Sequence, residues 1–279
     1  MAGRAIMYSV PRTEYSVLLA LRLLLALRYG KERASMPDHR QHRGRHPDDD
    51  RLFGREAWPL LREAVHDLSW LLTRDYAPPS ALKLVGDRYQ LEQRQRIAVA
   101  RSACSDQAKA ERSAKQLSPN DLAGRRLAID GFNILTTLEA VLGGGVILLA
   151  RDGCLRDMAS VHGTYRHVAE TEPALELAAR CLTALQPAEC IWYLDTPVSN
   201  SGRLAGKLRD TSERSNLNWR IELVSSADHA LIQETEAIVA SADSVVLDRS
   251  AAWTNLTTAI LADAQIEPAA IDLQDSHRG

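Results

Sequence analysis

Cysteine is scarce and scattered in this chain of 279 residues. Cys104, Cys154, Cys181 and Cys190 form no Cys-x-x-Cys pair. That spacing excludes a thiolate zinc site and the disulfide framework of a small secreted domain, and is the usage expected of reduced thiols in the cytoplasm. Long hydrophobic runs are missing too. The most apolar stretch, 17–27 (VLLALRLLLAL), is interrupted by Arg22 and falls short of the roughly 20 residues a membrane-spanning helix needs. Glu14 precedes it and Gly-Lys-Glu-Arg follows, the reverse of a signal peptide's basic start and small-residue cleavage site. There is no G-x-x-x-x-G-K-[ST] loop, no G-x-S-x-G elbow and no D-x-D-x-T or D-x-D-x-V element. Nucleotide hydrolysis and acyl transfer lose most of their support with them.

What is present is an ordinary globular composition, 45% hydrophobic and 25% charged, enough for one large domain or two smaller ones. The net charge of −2 hides an asymmetry: residues 1–120 hold 21 Lys and Arg against 14 Asp and Glu, whereas 121–279 hold 13 against 22. A basic part precedes an acidic part, which suits either a polyanion-binding module or a solvated basic face. Residues 1–54 read as a poorly ordered leader. Its polar stretch 36–51 opens at Met36, a candidate second start.

Beyond the leader, Leu60, Leu61, Ala64, Val65, Leu68, Leu71 and Leu72 recur with a helical period after Pro59. Further helices are expected from Ser80 to about Tyr89 and from Leu91 to Ala103, closing a small all-α domain over 55–104. The last two have the length of a helix-turn-helix, with Lys83, Arg88, Arg94, Arg96 and Arg101 available to phosphates; a plain helix pair with charged outer faces is the favoured reading, because such pairs are common and the turn has no special chemistry. A polar linker is expected over 105–124. From Arg125 short apolar runs alternate with helical stretches, which predicts an α/β domain over 125–250 with a mostly parallel sheet and helices on both faces. Strands are expected near 126–130, 146–150, 190–195, 220–225 and 244–248. Helices are expected near 133–142, 158–167, 172–186, 202–215 and 229–241. Asp152-Gly153 suits a hairpin turn, and 251–279 reads as a tail.

Aspartates recur where these runs end: Asp130, Asp195, Asp228 and Asp248, with Asp243 just before the last run. In an open α/β sheet the carboxyl ends of the strands form the ligand crevice, so these acids are expected to converge. Two carboxylates at about 4 Å repel by roughly 4 kcal/mol at an effective dielectric near 20. That repulsion calls for a proton or a cation, and Mg²⁺ or Mn²⁺ suits oxygen ligands. Asn133, at the next helix entrance, either orients a ligand or only caps the helix. After Asp195, Ser199, Asn200, Ser201 and Gly202 lead into a basic helix with Arg203 and Lys207, a candidate phosphate anchor or routine capping. Arg156, Asp157, His162 and Tyr165 are candidates for the crevice rim.

The set Asp130, Asn133, Asp228 and Asp243, the last in an S-x-D sequence, resembles the PIN and NYN group of metal-dependent ribonucleases. The mid-domain acid of that group has two candidates here, Glu139 and Asp195. The ordered blocks VGDRYQLEQRQR, RRLAIDGFNILTTLEAVL, RDGCLRDMASVHGTYR and YLDTPVSNSGRLA are similar to the uncharacterised family known as domain of unknown function 434. That resemblance spans about 55–250 and implies a helical part fused to a PIN-like part. It implies a Mg²⁺- or Mn²⁺-dependent phosphodiesterase, foremost an endoribonuclease, with Asp130, Asp228, Asp243 and Asn133 at the site and Asp195 and Asp248 as supporting metal ligands. The expected partner is nucleic acid, RNA before DNA, with no membrane. The alternative from another class is a non-catalytic nucleic-acid-binding or adaptor protein with a vestigial site; a small-ester phosphatase is the third.

Overall fold

A computed structural model describes residues 42–159 and 165–275. Most of the leader and His162 therefore lie outside the described residues. The N-terminal region is helical. Helix α1 (Asp49–Leu52) and a 3₁₀ turn (Arg55–Ala57) lead into α2 (Trp58–Thr73), α3 (Pro78–Arg88), α4 (Gln93–Ser102) and α5 (Asp106–Lys115). Proline in the first turn suits α2 and α3, because the missing N–H has no intrahelical partner there. A reciprocal capping box between Glu92 and Gln95 starts α4. The 3.6-residue repeat of α2 buries Leu61, Ala64, Val65, Leu68 and Leu71 against α3 and α4.

The α/β part follows a 3₁₀ turn at Pro119–Leu122. It comprises β1 (Arg126–Asp130), α6 (Gly131–Leu142), β2 (Ile147–Leu149), β3 (Leu155–Asp157), α7 (Thr171–Leu185), β4 (Glu189–Asp195), α8 (Ser201–Arg214) and β5 (Trp219–Val224). It continues with α9 (Ala227–Gln233), β6 (Ile238–Ala240), α10 (Ser244–Arg249), β7 (Trp253–Thr254), α11 (Leu256–Asp263) and β8 (Ala270–Asp272). Five strands form one parallel sheet in the order β5-β4-β1-β6-β7. Side chains alternate across it. Leu127, Ile129, Trp192, Leu194 and Ile238 join the core shared with α6, α7, α8 and α11, whereas Ala128, Ile191, Tyr193 and Val239 face the α9 and α10 side. The chain is thus a mixed α/β protein whose mostly parallel sheet is flanked by helices and preceded by a helical region.

Several expectations change. The strand expected at 244–248 is helix α10, the strand is Ile238–Ala240, and the helix expected over 229–241 ends at Gln233. Both runs are too short for period to separate strand from helix, and the Asp243 side chain caps α10 by accepting from Val245 N at 2.9 Å. The 105–124 linker contains α5, whose start is capped by Ser105 Oγ. The supposed tail supplies β7 to the main sheet, α11 to its core and β8 to a second sheet, β3-β2-β8. The hairpin expected at Asp152-Gly153 joins β2 to β3, with Gly153 at φ +81° and Ala150 N bonded to Cys154 O. Residues 158–159 and 165–167, at the ends of the expected 158–167 helix, are not helical. Residues 42–54 are not loose: Leu52 and Phe53 sit in the helical core, and buried Asp49 is held by Arg94 at 2.6 Å. Arg43 reaches the α/β part, pairing with the fully buried Glu139 at 2.5 Å.

Candidate functional site

Parallel pairing brings the carboxyl ends of four strands to one side, and the acids follow. Asp130 ends the central strand β1, Asp195 ends its neighbour β4, Asp228 lies in the first turn of α9 beyond β5, and Asp243 lies between β6 and α10. Asp130 is buried at 6% exposure. Its Oδ1 accepts from Asn133 N at 3.2 Å and its Oδ2 from Ser241 Oγ at 2.9 Å. Burial, reinforced by the charges of Asp228 and Asp195, pushes its carboxyl up to about 7 against the pull of those two hydrogen bonds.

The loop beyond β6 is built around that carboxylate. Ser241 Oγ accepts from Asp243 N at 3.0 Å while donating to Asp130, and Asn133 Oδ1 accepts from Ala242 N at 2.8 Å. The side chain of Asn133 thus holds the loop that carries Asp243. The Asp195 carboxylate fixes the start of α9 by accepting from Ala227 N at 2.8 Å. Gly131 lets β1 turn into α6 because a Cβ there would meet Leu194 Cδ2 at 2.6 Å and Tyr193 O at 3.1 Å.

Asp248 is not part of this group. It sits in the last turn of α10 and receives both arms of the buried Arg112 guanidinium, at 2.6 and 3.0 Å. Arg112 also reaches Asp152 at 2.5 Å, and Arg156 bonds Asp152 twice, at 2.8 and 2.7 Å. Burial alone would raise Asp152, but Arg156 and Arg112 hold its carboxyl well below the usual range. Arg156 Nε in turn donates to Ala242 O at 2.8 Å, so this buried network fixes the start of α10 while Arg112 fixes its end. Asp152, expected only to form a turn, and Arg156, expected at the rim, together with Ser241, are the positioning residues that strand-end logic passed over. Ser241 alone had a sequence signal, the S-x-D spacing.

The remaining candidates divide. Asp157 accepts from the Thr136 and Thr137 hydroxyls at 3.4 and 2.9 Å, and Tyr165 is buried with its hydroxyl on Glu139. Asn200 adopts a left-handed φ of +70° and donates through Nδ2 to Tyr165 O at 2.8 Å, while Ser199 O accepts from Tyr165 N at 3.1 Å. Ser201 is buried at the start of α8, and Lys207 pairs with Glu172. Arg203 is exposed and carries no ion pair among the described residues. In the helical region Lys83 and Arg96 pair with Asp87, Arg88 with Asp67 and Arg94 with Asp49, while Arg101 donates to the carbonyl of Asp157. Each of these five cations of the helical region is engaged within the fold.

Among the described residues no three His, Cys, Asp or Glu side chains are grouped so as to hold one metal ion. Mg²⁺ keeps several of its waters and binds through one or two carboxylates, so it does not require a three-ligand group. No helix among the described residues is long and apolar enough to cross a membrane.

Fold and site define a two-part protein: a helical module on an α/β domain with acidic side chains at the carboxyl edge of its parallel sheet. The family described as Domain of unknown function (DUF5616) matches residues 119–259, and the one described as Protein of unknown function (DUF434) matches 60–115. The "Uncharacterized protein MJ0935" of Methanocaldococcus jannaschii is 30% identical over 187 residues, which cover 67% of this chain and 88% of that protein. No solved structure matches. The chain belongs to the DUF5616 family and carries a DUF434 region ahead of that domain; the resemblance seen over 55–250 divides between the two at the end of α5.

Proposed function

We propose that the crevice around Asp130 is a divalent-cation-assisted phosphodiesterase site acting on RNA. The observation that carries this reading is the placement of Asp130, Asp195 and Asp228 at one edge of adjacent parallel strands, the first of them buried. A bound Mg²⁺ or Mn²⁺ would neutralise the carboxylates, polarise a phosphate and lower the pKa of a water. The chain's own part is to hold Asp130 through Ser241 and Asn133, and to fix Asp195 against α9. At the entrance of α8 the N–H groups at 202 and 203, with the Arg203 guanidinium, form the candidate anchor for a neighbouring phosphate. PIN-like kinship belongs to this proposal and supports the choice of RNA.

The test is cleavage of single-stranded RNA with Mn²⁺, paired with calorimetric Mn²⁺ binding. Cleavage and uptake that both disappear in Asp130→Asn support the proposal; RNA left intact by the parent protein with Mn²⁺ overturns it. A second reading, a nucleic-acid-binding or adaptor protein with a vestigial site, is favoured by the lack of a three-ligand group among the described residues. It predicts RNA binding that Asp130→Asn leaves unchanged, without metal uptake.

A further inference from the structure

The two edges of the main sheet are treated differently. At one, β7 is only two residues long and its outer side is closed by the chain leaving α5, where Gln116 bridges Trp253 and Leu117 N bonds Trp253 O at 2.8 Å. At the other, β5 runs for six residues with β4 on one side and α8 on its face, and no described strand on its outer side. The carbonyls of Asn218 and Val224 point inward, accepting from Cys190 N at 3.0 Å and Thr196 N at 2.7 Å. Backbone alternation sends the polar groups of Ile221 and Leu223, and the carbonyl of Trp219, outward. Unpaired edges are normally blunted by short length, proline, bulges or charged side chains, and the charges of β5, Arg220 and Glu222, are of opposite sign and so can pair across a two-fold axis. WRIELV has no proline, and Leu223 is 41% exposed.

We propose that two copies of this chain associate antiparallel along β5, joining their sheets into one across a two-fold axis at Ile221. The charge pattern selects this partner and register. Centred on Ile221, the pairing sets Arg220 directly opposite Glu222 of the second copy, and Glu222 opposite its Arg220. Ile221 exchanges backbone bonds with its own copy, so the charged pairs fall at the non-hydrogen-bonded positions, where Cα atoms approach to about 4.5 Å. Among the described residues Arg220 and Glu222 make loose ion pairs, at 3.5 Å to each other and 3.6 Å from Arg220 to Glu189, with side chains 46% and 42% exposed. They are free to turn toward a second strand. On the opposite side of the ribbon Trp219 meets Leu223 of the second copy, covering the apolar side chain that the single chain leaves in water.

Sedimentation equilibrium of the full chain tests the proposal, with the parent expected near twice its 30.8 kDa mass at tens of micromolar. Arg220→Glu and Glu222→Arg each place like charges opposite and weaken association by roughly tenfold or more. An equimolar mixture of these two variants restores both attractive pairs, so two proteins that are monomeric alone form a heterodimer together. Because each variant must be folded to pair with the other, the mixture also controls for misfolding. A monomeric parent, singly reversed variants that associate as tightly as the parent, or a mixture that stays monomeric overturns the proposal.

Discussion

Asp130 holds its negative charge at a cost, and the metal-free protein is expected to show it as a pH dependence. An unfolded aspartate titrates near 3.9, whereas the buried Asp130 titrates up at about 7, so between these values the folded chain binds the extra proton. Stability is therefore lost as pH rises from about 4 to about 7, by on the order of 4 kcal/mol in this one contribution. Asp130→Asn is expected to melt higher than the parent at pH 8 in the presence of chelator, with the gain vanishing near pH 4 in thermal scans. If Mn²⁺ binds as proposed, it narrows the gap at pH 8 by stabilising only the parent. Asn133 is a test of a different kind. Asn133→Ala strands the buried N–H of Ala242 and is expected to cost about 1–3 kcal/mol in urea titration. Asp130, Asp195 and Asp228 were legible in the sequence because each follows an apolar run, and Asp243 through the S-x-D spacing; which groups Ser241 and Asn133 bond was not, because neither periodicity nor spacing reports what a side chain meets.

Elements with a long apolar period were the readable ones. Helix α7 and strands β1 and β4 appear within a residue or so of where the pattern put them, since each buries a continuous face. The stretch 229–248 departs from its sequence pattern because three residues of strand, Ile238–Ala240, are too few to establish a period of two, and the valines of α10 favour strand by propensity. The run SVVL suggests a strand end for Asp248, which instead closes a helix beside Arg112. The turn from β1 into α6 is sterically demanding. Gly131→Ala is expected to lower stability by about 1 kcal/mol or more despite alanine's better helix propensity, because Tyr193 O and the buried Leu194 must shift; differential scanning calorimetry reads this.

At the scale of the whole molecule, the helical region and the α/β domain are joined by charge as well as by apolar packing. Arg112 of α5 is buried between Asp152 and Asp248, so Arg112→Met leaves Asp248 without that cation and Asp152 with Arg156 alone. Breaking a buried pair from one side costs about 3–5 kcal/mol, and chemical denaturation of the variant is expected to show a loss of that order. Because Asp152 titrates well below its unfolded value, its contribution is present above about pH 4 and is lost as the solution is acidified further. The division into a helical and an α/β part was legible from the change of period at Arg125. The tie between them was not, since an Arg in one helix and two Asp far along the chain carry no local signal of contact. Arg43 shows the practical side of such ties. The stretch matched to known families opens at residue 60, yet Glu139, deep in the α/β domain, has its cation at position 43, and burial already raises its carboxyl despite that partner. A recombinant fragment trimmed to the matched stretch would inherit an orphaned anion in its core, and is expected to collect in the insoluble fraction where one beginning at Met36 stays in the supernatant.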